Sequence, residues 1–277
     1  MNISEIMKQD GKRLQDVLGL DEREARIEVQ CLLQGLLRVS RSYLMTYPER
    51  ELDMDELQRH MELMKRRLNG EPVAYLLGER EFFGHVFRVT KDTLIPRPDT
   101  ELLVELVMKH AREHSSILDM GTGSGAIAIS IALARKDLRV VAIDASQAAL
   151  DVAIANAMRL AADNVRFLKS DWFSALSGER FDIIASNPPY VEMEDPHLKD
   201  ISFEPSSALV SGCDGLDDIR RIVAGARAHL NPGGWLMLEH GYDQAEGVRA
   251  LLMEAGFREV SSSKDISGIE RVSMGRA

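Results

Sequence analysis

The sequence of 277 residues has only two cysteines, few aromatic residues and no long apolar run. Cys31 lies in an apolar helical pattern and Cys213 in a glycine-rich stretch, and neither has the spacing of a redox pair or a metal site. The first residues lack the apolar core of a signal peptide, and no stretch approaches the ~18 apolar residues of a membrane span. We therefore expect reduced thiols, no bound metal and a soluble, cytoplasmic protein without membrane attachment.

An excess of positive charge is absent as well. The chain has 34 Lys and Arg residues against 44 Asp and Glu residues, which gives a formal net charge of −10. This balance argues against tight binding to naked nucleic acid, because such binding depends on neutralising phosphates. Hydrophobic residues nevertheless make up 45% of the chain, which is enough for a sizeable core and for two domains.

Two segments with different residue patterns precede the main part of the chain. Residues 1–70 carry apolar residues at helical spacing and candidate helix caps at Asp21 and Asp53, so they predict a small helical domain. Residues 71–98 are rich in aromatic and β-branched residues and predict a connector that contains a β-hairpin. At its end, in "IPRPDTE", we expect Arg97 and Glu101 to form a structural ion pair.

From residue 99 to residue 277, strand-like stretches such as "SILDM" and "FDIIASN" alternate with helix-like stretches such as "QAALDVAIANAMRLA". This alternation predicts an α/β catalytic domain with a mostly parallel sheet and helices on both faces. The last two strand-like stretches, "GFREVSSSKD" and "ERVSMGRA", are joined by a loop too short for a crossover helix. We therefore expect these two strands to pair antiparallel.

A glycine-rich loop follows the first strand of this domain, in "ILDMGTGSGAIAI". Glycines permit a tight turn and let a ligand approach the backbone closely. Taken alone, the loop could hold any nucleotide-like ligand. Its spacing differs from the dinucleotide pattern and from the P-loop. It resembles motif I of the class I methyltransferases, which bind S-adenosylmethionine, and that resemblance implies a cofactor site at Gly121, Thr122, Gly123, Ser124 and Gly125.

Acidic and aromatic residues end the next two strands. Asp144 lies nineteen residues after Gly125, at a strand end where a carboxylate can accept hydrogen bonds from both ribose hydroxyls. A helix N-cap is the alternative for Asp144, although Ser146 could take that role. In "SDWF", Asp171 could accept a hydrogen bond from an adenine amino group, and Trp172 could pack on the adenine ring or simply in the core.

The fourth strand end is "NPPY", residues 187–190. Methyl transfer to a planar NH2 group requires its delocalised lone pair to be aimed at the methyl carbon, and acceptors for both N–H bonds would do this. Asn187 offers a side-chain carbonyl, Pro188 offers a rigid backbone carbonyl, and Tyr190 offers a flat face. With Pro189, these residues form the predicted substrate site, and Asn187 also borders the cofactor. A proline-rich turn that merely ends a strand is the alternative.

The whole chain is similar to the protein-(glutamine-N5) methyltransferases of the HemK type, which modify peptide chain release factors. The similarity rests on "GEPVAYLLGEREFFGHVFRV", "TLIPRPDTE", "LDMGTGSGAIAI", "SDWFSAL", "SNPPYVEMEDPHL", "FEPSSALVSGCDGL" and "LEHGYDQ". It implies a helical substrate-docking domain and a seven-stranded catalytic domain. It also implies transfer of a methyl group from S-adenosylmethionine, leaving S-adenosylhomocysteine, to the glutamine of the Gly-Gly-Gln motif in release factors 1 and 2. We expect a monomer.

Two other function classes share parts of this pattern. An amino-methyltransferase acting on adenine or cytosine of DNA or RNA would also carry N-P-P-Y, but the acidic balance and the lack of a basic, aromatic-interleaved recognition domain argue against it. A non-catalytic cofactor-binding module would not need the pair of acceptors at residues 187 and 188.

Overall fold

A computed structural model describes residues 1–199 and 201–277 of the chain. The chain divides into two compact units, Met1–Glu79 and Arg80–Ala277. The core of the first unit is built from residues between Ile3 and Leu77, and the core of the second from residues after Arg80. Each unit therefore buries apolar surface of its own.

The first unit is helical. Its helices are α1 (Ile3–Leu18), α2 (Glu22–Leu37), α3 (Arg41–Thr46), α4 (Met54–Leu68) and α5 (Val73–Leu77). The expected caps at Asp21 and Asp53 are confirmed, because each side chain accepts from a backbone N–H in the first turn of its helix. In both cases a glutamate three residues later bonds back to the cap residue, which completes a capping box.

The second unit begins with a β-hairpin and continues as an α/β fold. The hairpin strands, β1 (Glu79–Phe82) and β2 (His85–Arg88), lie in the segment of residues 71–98, which also contains α5. The remaining strands are β3 (Ser116–Met120), β4 (Arg139–Asp144), β5 (Val165–Lys169), β6 (Phe181–Ser186), β7 (Leu230–Glu239), β8 (Arg258–Lys264) and β9 (Glu270–Arg276). The helices are α6 (Glu101–His110), α7 (Ala126–Ala134), α8 (Gln147–Leu160), α9 (Asp217–His229) and α10 (Ala245–Glu254).

Within the described residues, seven strands form one sheet in the order β5-β4-β3-β6-β7-β9-β8. The strands from β5 to β7 are parallel, and β9 runs antiparallel to β7 and β8, as expected for the last two strands. The predicted α/β fold with a mostly parallel sheet is thus confirmed. The chain proceeds outward from β3 to β5 and then returns to place β6 on the other side of β3. This reversal is a topological switch point, where such sheets bind ligands at the carboxyl ends of the strands.

Two apolar clusters cover the two faces of this sheet. Residues of α6 and α7, including Leu103 and Ile127, pack on one face, and residues of α9 and α10, including Ile222 and Leu252, pack on the other. Burial on both faces explains why β3 and β6 are nearly continuous apolar runs. Across the residues that can be described, no helix is both long and apolar enough to cross a membrane.

Candidate active site

The glycine loop connects β3 to α7 at the switch point. Gly121, Gly123 and Gly125 have φ angles of 71°, 55° and 83°, a region that side-chain-bearing residues rarely adopt. The backbone N–H groups of Gly121 and Thr122 both donate to the carbonyl of Ile143, at the end of the neighbouring strand β4. These contacts fold the loop back over the edge of the sheet and present its backbone to a ligand.

Asp144 stabilises the same loop from the end of β4. Its Oδ2 accepts from Gly123 N at 2.9 Å, and its Oδ1 accepts from Ser146 N at 2.8 Å. Burial raises the pKa of Asp144, although these backbone donors oppose the effect. Ser146 caps α8, as expected, so Asp144 is not needed for that purpose. A carboxylate has about four acceptor sites, so Asp144 can accept a further hydrogen bond beyond those from Gly123, Ser146 and Ala145.

Asp171 and Trp172 follow β5, but their surroundings differ. Asp171 is 63% exposed, and both of its oxygens pair with Arg221 at 3.0 and 3.1 Å. Trp172 is half-buried and donates from Nε1 to Asp218 at 3.1 Å. A Cβ placed on Gly121 would lie 3.9 Å from the ring of Trp172, so this ring borders the glycine loop. The structure thus brings Trp172 to the loop and leaves Asp171 at the surface.

Asn187 follows β6, the strand paired with β3. Its Nδ2 donates to the Thr100 hydroxyl at 3.1 Å. Its Oδ1 is buried and has no hydrogen-bond partner among the described residues. A buried acceptor of this kind costs roughly 1–3 kcal/mol if it stays unpaired. The amide therefore presents a preformed acceptor, with its nitrogen already engaged on the other side.

A cavity of about 190 Å³ lies beside this asparagine. The cavity is lined by apolar side chains and a few polar ones: Leu94, Arg97, Asn187, Tyr190, Val191, Ile201, Ala208 and Leu209. Pro188 is buried, and the backbone of Tyr190 and Val191 bonds to Leu209. Burial and the nearby Glu239 raise the pKa of Tyr190 well above its usual value, so its phenol stays neutral and cannot serve as a base.

The expected ion pair between Arg97 and Glu101 is wrong. Arg97 pairs instead with Glu204 at 2.5 Å, and the other oxygen of Glu204 accepts from Ile95 N at 3.1 Å. Glu101 accepts from the backbone N–H of Phe83 at 2.8 Å. Glu204 is buried and accepts from two donors, whereas the carboxylate of Glu101 is already engaged by Phe83, and 107 residues separate Arg97 from Glu204.

Sequence reasoning missed several residues that shape the site. Asn156 is fully buried on α8, and its amide joins the carbonyl of Ser124 in the glycine loop to both backbone groups of Arg88 in the hairpin. Asp119 is also fully buried, its Oδ1 has no partner within the described part of the chain, and burial raises its pKa to about 7. A polar residue inside an apolar run was the sequence signal for Asn156, and the place of Asp119 two residues before the first glycine of the loop was the signal for Asp119.

The described residues contain no group of three or more His, Cys, Asp or Glu side chains that could hold a metal ion. The polar groups at this edge instead suit an organic ligand with hydroxyl and amino groups. Gly123 has nothing within 4 Å of where a Cβ would stand, so the loop leaves room for close approach. Asp144 and Asp119 supply unused acceptor sites near the loop.

Solved structures with the same fold indicate the class of protein to which this fold belongs. A methyltransferase from Pyrococcus furiosus matches with a TM-score of 0.55 and 21% identity, covering 78% of this chain and 98% of that chain. A 16S rRNA methyltransferase from T. thermophilus, solved in complex with AdoMet and guanosine, matches with a TM-score of 0.53 and 23% identity, covering 72% of this chain and 49% of that chain. The fold is that of a class I methyltransferase.

Sequence relatives identify the family. The Methyltransferase small domain family matches residues 97–202, and the PrmC N-terminal domain family matches residues 13–78. A release factor glutamine methyltransferase from Burkholderia pseudomallei is 52% identical over 267 residues, covering 93% of this chain and 92% of that protein. One from Coxiella burnetii is 40% identical over 272 residues, covering 98% of each chain. The chain belongs to the release factor glutamine methyltransferase family, as the sequence motifs predicted.

Proposed function

We propose that the protein transfers a methyl group from S-adenosylmethionine to the side-chain amide nitrogen of the glutamine in the Gly-Gly-Gln motif of release factors 1 and 2. Family membership supports a release-factor glutamine as the substrate. The single observation that carries the chemistry is the buried, unpartnered Oδ1 of Asn187 at the switch point, one strand away from the glycine loop.

The cofactor site uses residues that follow three adjacent strands. The backbone of residues 121–125 would contact the cofactor, Asp144 would accept from its ribose hydroxyls, and Trp172 would pack on its adenine. Asp171 would accept from the adenine amino group with the lone pairs that Arg221 leaves unused. When bound, S-adenosylmethionine supplies an electrophilic methyl group attached to a positively charged sulfur.

The substrate amide would lie between Asn187 and Tyr190. Asn187 Oδ1 and the carbonyl of Pro188 accept hydrogen bonds from the two N–H groups of the substrate amide. These bonds orient the nitrogen and favour the positive charge that develops on it. The flat ring of Tyr190 packs against the amide plane. A strong general base is unnecessary, because the nitrogen becomes acidic as it gains a fourth substituent. This agrees with the neutral phenol of Tyr190.

The first unit, residues 1–79, is proposed to dock the body of the release factor. Support for this role comes from its separate core and from its match to a domain family of its own. We also propose that the protein acts as a monomer in the cytoplasm. Sedimentation at several concentrations tests the monomer, and cell fractionation tests the location.

A labelling experiment tests the substrate. The protein is incubated with radiolabelled S-adenosylmethionine and either release factor 1, a release factor 1 variant with alanine in place of the Gly-Gly-Gln glutamine, or duplex DNA and total RNA. We expect label only in the intact release factor. Label in nucleic acid would support an amino-methyltransferase of that class, and equal label in both release factors would place the modification elsewhere.

A further inference from the structure

Thr100 lies directly before α6, and its hydroxyl contacts the proposed catalytic amide. It ends a short 3-10 turn, Pro98–Thr100, that leads into α6, so its backbone is already helical (φ −67°, ψ −18°) and its side chain makes no cap bond. The side chain is buried, with 4% exposed, and its hydroxyl accepts from Asn187 Nδ2 at 3.1 Å. This buried hydroxyl therefore holds the nitrogen end of the amide.

Glu239 continues this contact into the core. It ends β7, the strand paired with β6, and only 1% of its surface is exposed. Its Oε1 lies 3.5 Å from the Tyr190 hydroxyl, and the Thr100 hydroxyl is near enough to oppose the rise in the pKa of the Glu239 carboxyl. Its Oε2 has no hydrogen-bond partner among the residues that the structure describes. Burying a carboxyl group of this kind is costly, which points to a role beyond packing.

The number of hydrogen atoms that each group carries determines which group donates and which accepts in these contacts. A hydroxyl has one proton to donate, and an ionised carboxylate can only accept. If the Thr100 O–H donates a hydrogen bond to Glu239, the Thr100 oxygen remains free to accept one. That oxygen then pairs better with the NH2 group of the Asn187 amide than with its carbonyl. The carbonyl side of that amide is left facing away from Thr100, without a partner, as observed.

We propose that Thr100 and Glu239 are positioning residues that fix which end of the Asn187 amide is offered to the substrate. Glu239 and Thr100 are referred to below as the relay. The inference deepens the proposed function and depends on it, because the orientation matters only if Asn187 Oδ1 accepts from the glutamine amide. Through the Tyr190 hydroxyl, the relay also holds the ring against which the substrate packs.

The relay has a charge state that solution pH can change. Burial raises the pKa of Glu239 to about 7, with Thr100, Tyr190 and Arg271 acting in the opposite direction and Asp99 adding to the rise. When Glu239 is protonated it can donate to Thr100, and the Thr100 proton can then point at Asn187. The preference of Asn187 for one orientation disappears. The turnover number should therefore fall as pH decreases through about 7.

Substitutions at Thr100 test the relay with a matched control. Thr100→Val keeps the shape but cannot bond to Asn187, and we expect its kcat on release factor 1 to fall by about 10- to 100-fold, as misplacement of a reacting group does. Thr100→Ser keeps the hydroxyl and should retain most of the turnover. Cofactor affinity, measured by calorimetry, should be unchanged in both variants, which also shows that both are folded.

A double-mutant cycle separates a positioning role from a structural one. If Thr100 acts only through Asn187, then Thr100→Val in the Asn187→Ala background should cause no further loss of kcat. If the kcat losses of the two single variants multiply in the double variant, the proposal is overturned. Full activity of Thr100→Val would overturn it as well. In Glu239→Gln, measured at saturating cofactor, the acid-side fall of kcat near pH 7 should be absent, and a fall identical to that of the wild type would remove Glu239 from the relay.

One readout does not depend on the substrate. In an NMR spectrum, the side-chain amide signal of Asn187 can be identified by its absence in Asn187→Ala. Its chemical shift should change in Thr100→Val and change little in Thr100→Ser. An unchanged signal in Thr100→Val overturns the relay whatever the protein methylates. If the signal shifts but the wild type leaves release factor 1 unlabelled, the relay holds Asn187 and the proposed function fails.

Discussion

At the scale of single residues, the site depends on acceptors that the folded chain leaves unpaired. Asn187 Oδ1 and Asp119 Oδ1 are both buried without a partner among the residues described, and both lie beside the glycine loop or the strand end next to it. Such groups lower the stability of the protein by themselves. Asn187 Oδ1 suits a ligand site because a bound substrate can pair with it, whereas the fully buried carboxyl of Asp119, whose pKa is raised to about 7, can carry a proton instead.

Asn187 gives the sharpest test of the proposed chemistry. Asn187→Ala removes one of the two acceptors proposed for the substrate amide. It should lower kcat by about 10²–10³-fold, the typical cost of losing one preorganised electrostatic partner. Cofactor affinity should change little, because the glycine loop and Asp144 are untouched. Asn187→Asp keeps an acceptor and should retain partial activity. Near wild-type turnover of Asn187→Ala in the release-factor assay would show that "NPPY" only ends a strand.

Asp144 makes a prediction about cofactor binding. Asp144→Ala removes the acceptor for Gly123 N and the proposed acceptor for the ribose hydroxyls, so the affinity for S-adenosylmethionine should fall at least tenfold, using roughly 1.5–3 kcal/mol for a hydrogen bond to a charged group. Asp151→Ala is the control, because Asp151 is exposed on α8. Calorimetry that finds equal affinities for the two variants would remove Asp144 from the site.

The buried carboxyl group of Asp119 should make the free energy of unfolding depend on pH. Because burial raises its pKa to about 7, the folded chain holds a proton on Asp119 that the unfolded chain releases near its ordinary pKa of about 3.9. Its contribution to the free energy of unfolding should therefore decrease as pH rises from about 4 to 7, and stay low above 7.

The variant Asp119→Asn isolates this contribution. Buried His240 has a lowered pKa and changes stability in the opposite direction on the acid side, while the raised pKa of Glu239 changes it in the same direction as Asp119, so the wild-type curve alone mixes several contributions. Urea unfolding at several pH values should show the stability of Asp119→Asn gaining on that of the wild type between pH 5 and pH 8. A constant difference across that range would mean that Asp119 titrates normally in the fold.

At the scale of elements, the site is an alignment of strand ends. The loop after β3, Asp144 at the end of β4, Trp172 after β5 and Asn187 after β6 come from four adjacent strands of one sheet. Parallel strands end at the same edge, so residues far apart in the sequence meet there. The loop also needs support from α8, since Asn156 and Ala153 both lie against it.

Gly125 is the loop position with the least room. A Cβ there would lie 2.6 Å from Ile129 Cδ1 and 3.2 Å from Ala153 Cβ, at a φ of 83°. Gly125→Ala should lower both the melting temperature and cofactor affinity. Gly178→Ala is the matched control, because Gly178 has a φ of 77° and nothing within 4 Å of the added carbon. It should show only the backbone cost, roughly 1–2 kcal/mol, with normal cofactor binding. Equal cofactor affinity in both variants would contradict the packing argument.

At the scale of the whole molecule, the chain has two units with separate cores, and all residues of the proposed cofactor site belong to the second. The second unit buries both faces of a seven-stranded sheet, the number of strands being that of the described residues. A unit with its own core can in principle fold alone.

Deleting residues 1–78 tests the docking role of the first unit. Cofactor affinity should stay near that of the full chain, because the deletion leaves Gly121–Gly125, Asp144 and Trp172 in place. Methylation of whole release factor 1 should fall much more than methylation of a short peptide that contains Gly-Gly-Gln. Equal loss on both substrates, with cofactor binding preserved, would make the first unit a structural support and not a docking domain.

The sequence alone determined the order of elements, the glycine loop, the strand-end residues and the family, because these depend on local pattern and on rules that hold for any mostly parallel sheet. The partners of long side chains were decided only by the tertiary structure. Arg97 bonds to Glu204 rather than to Glu101, and Thr100 bonds to Asn187, which lies 87 residues away in the sequence. The physical reason is that a buried polar group takes the partner that packing brings to it, and that partner can lie anywhere in the chain.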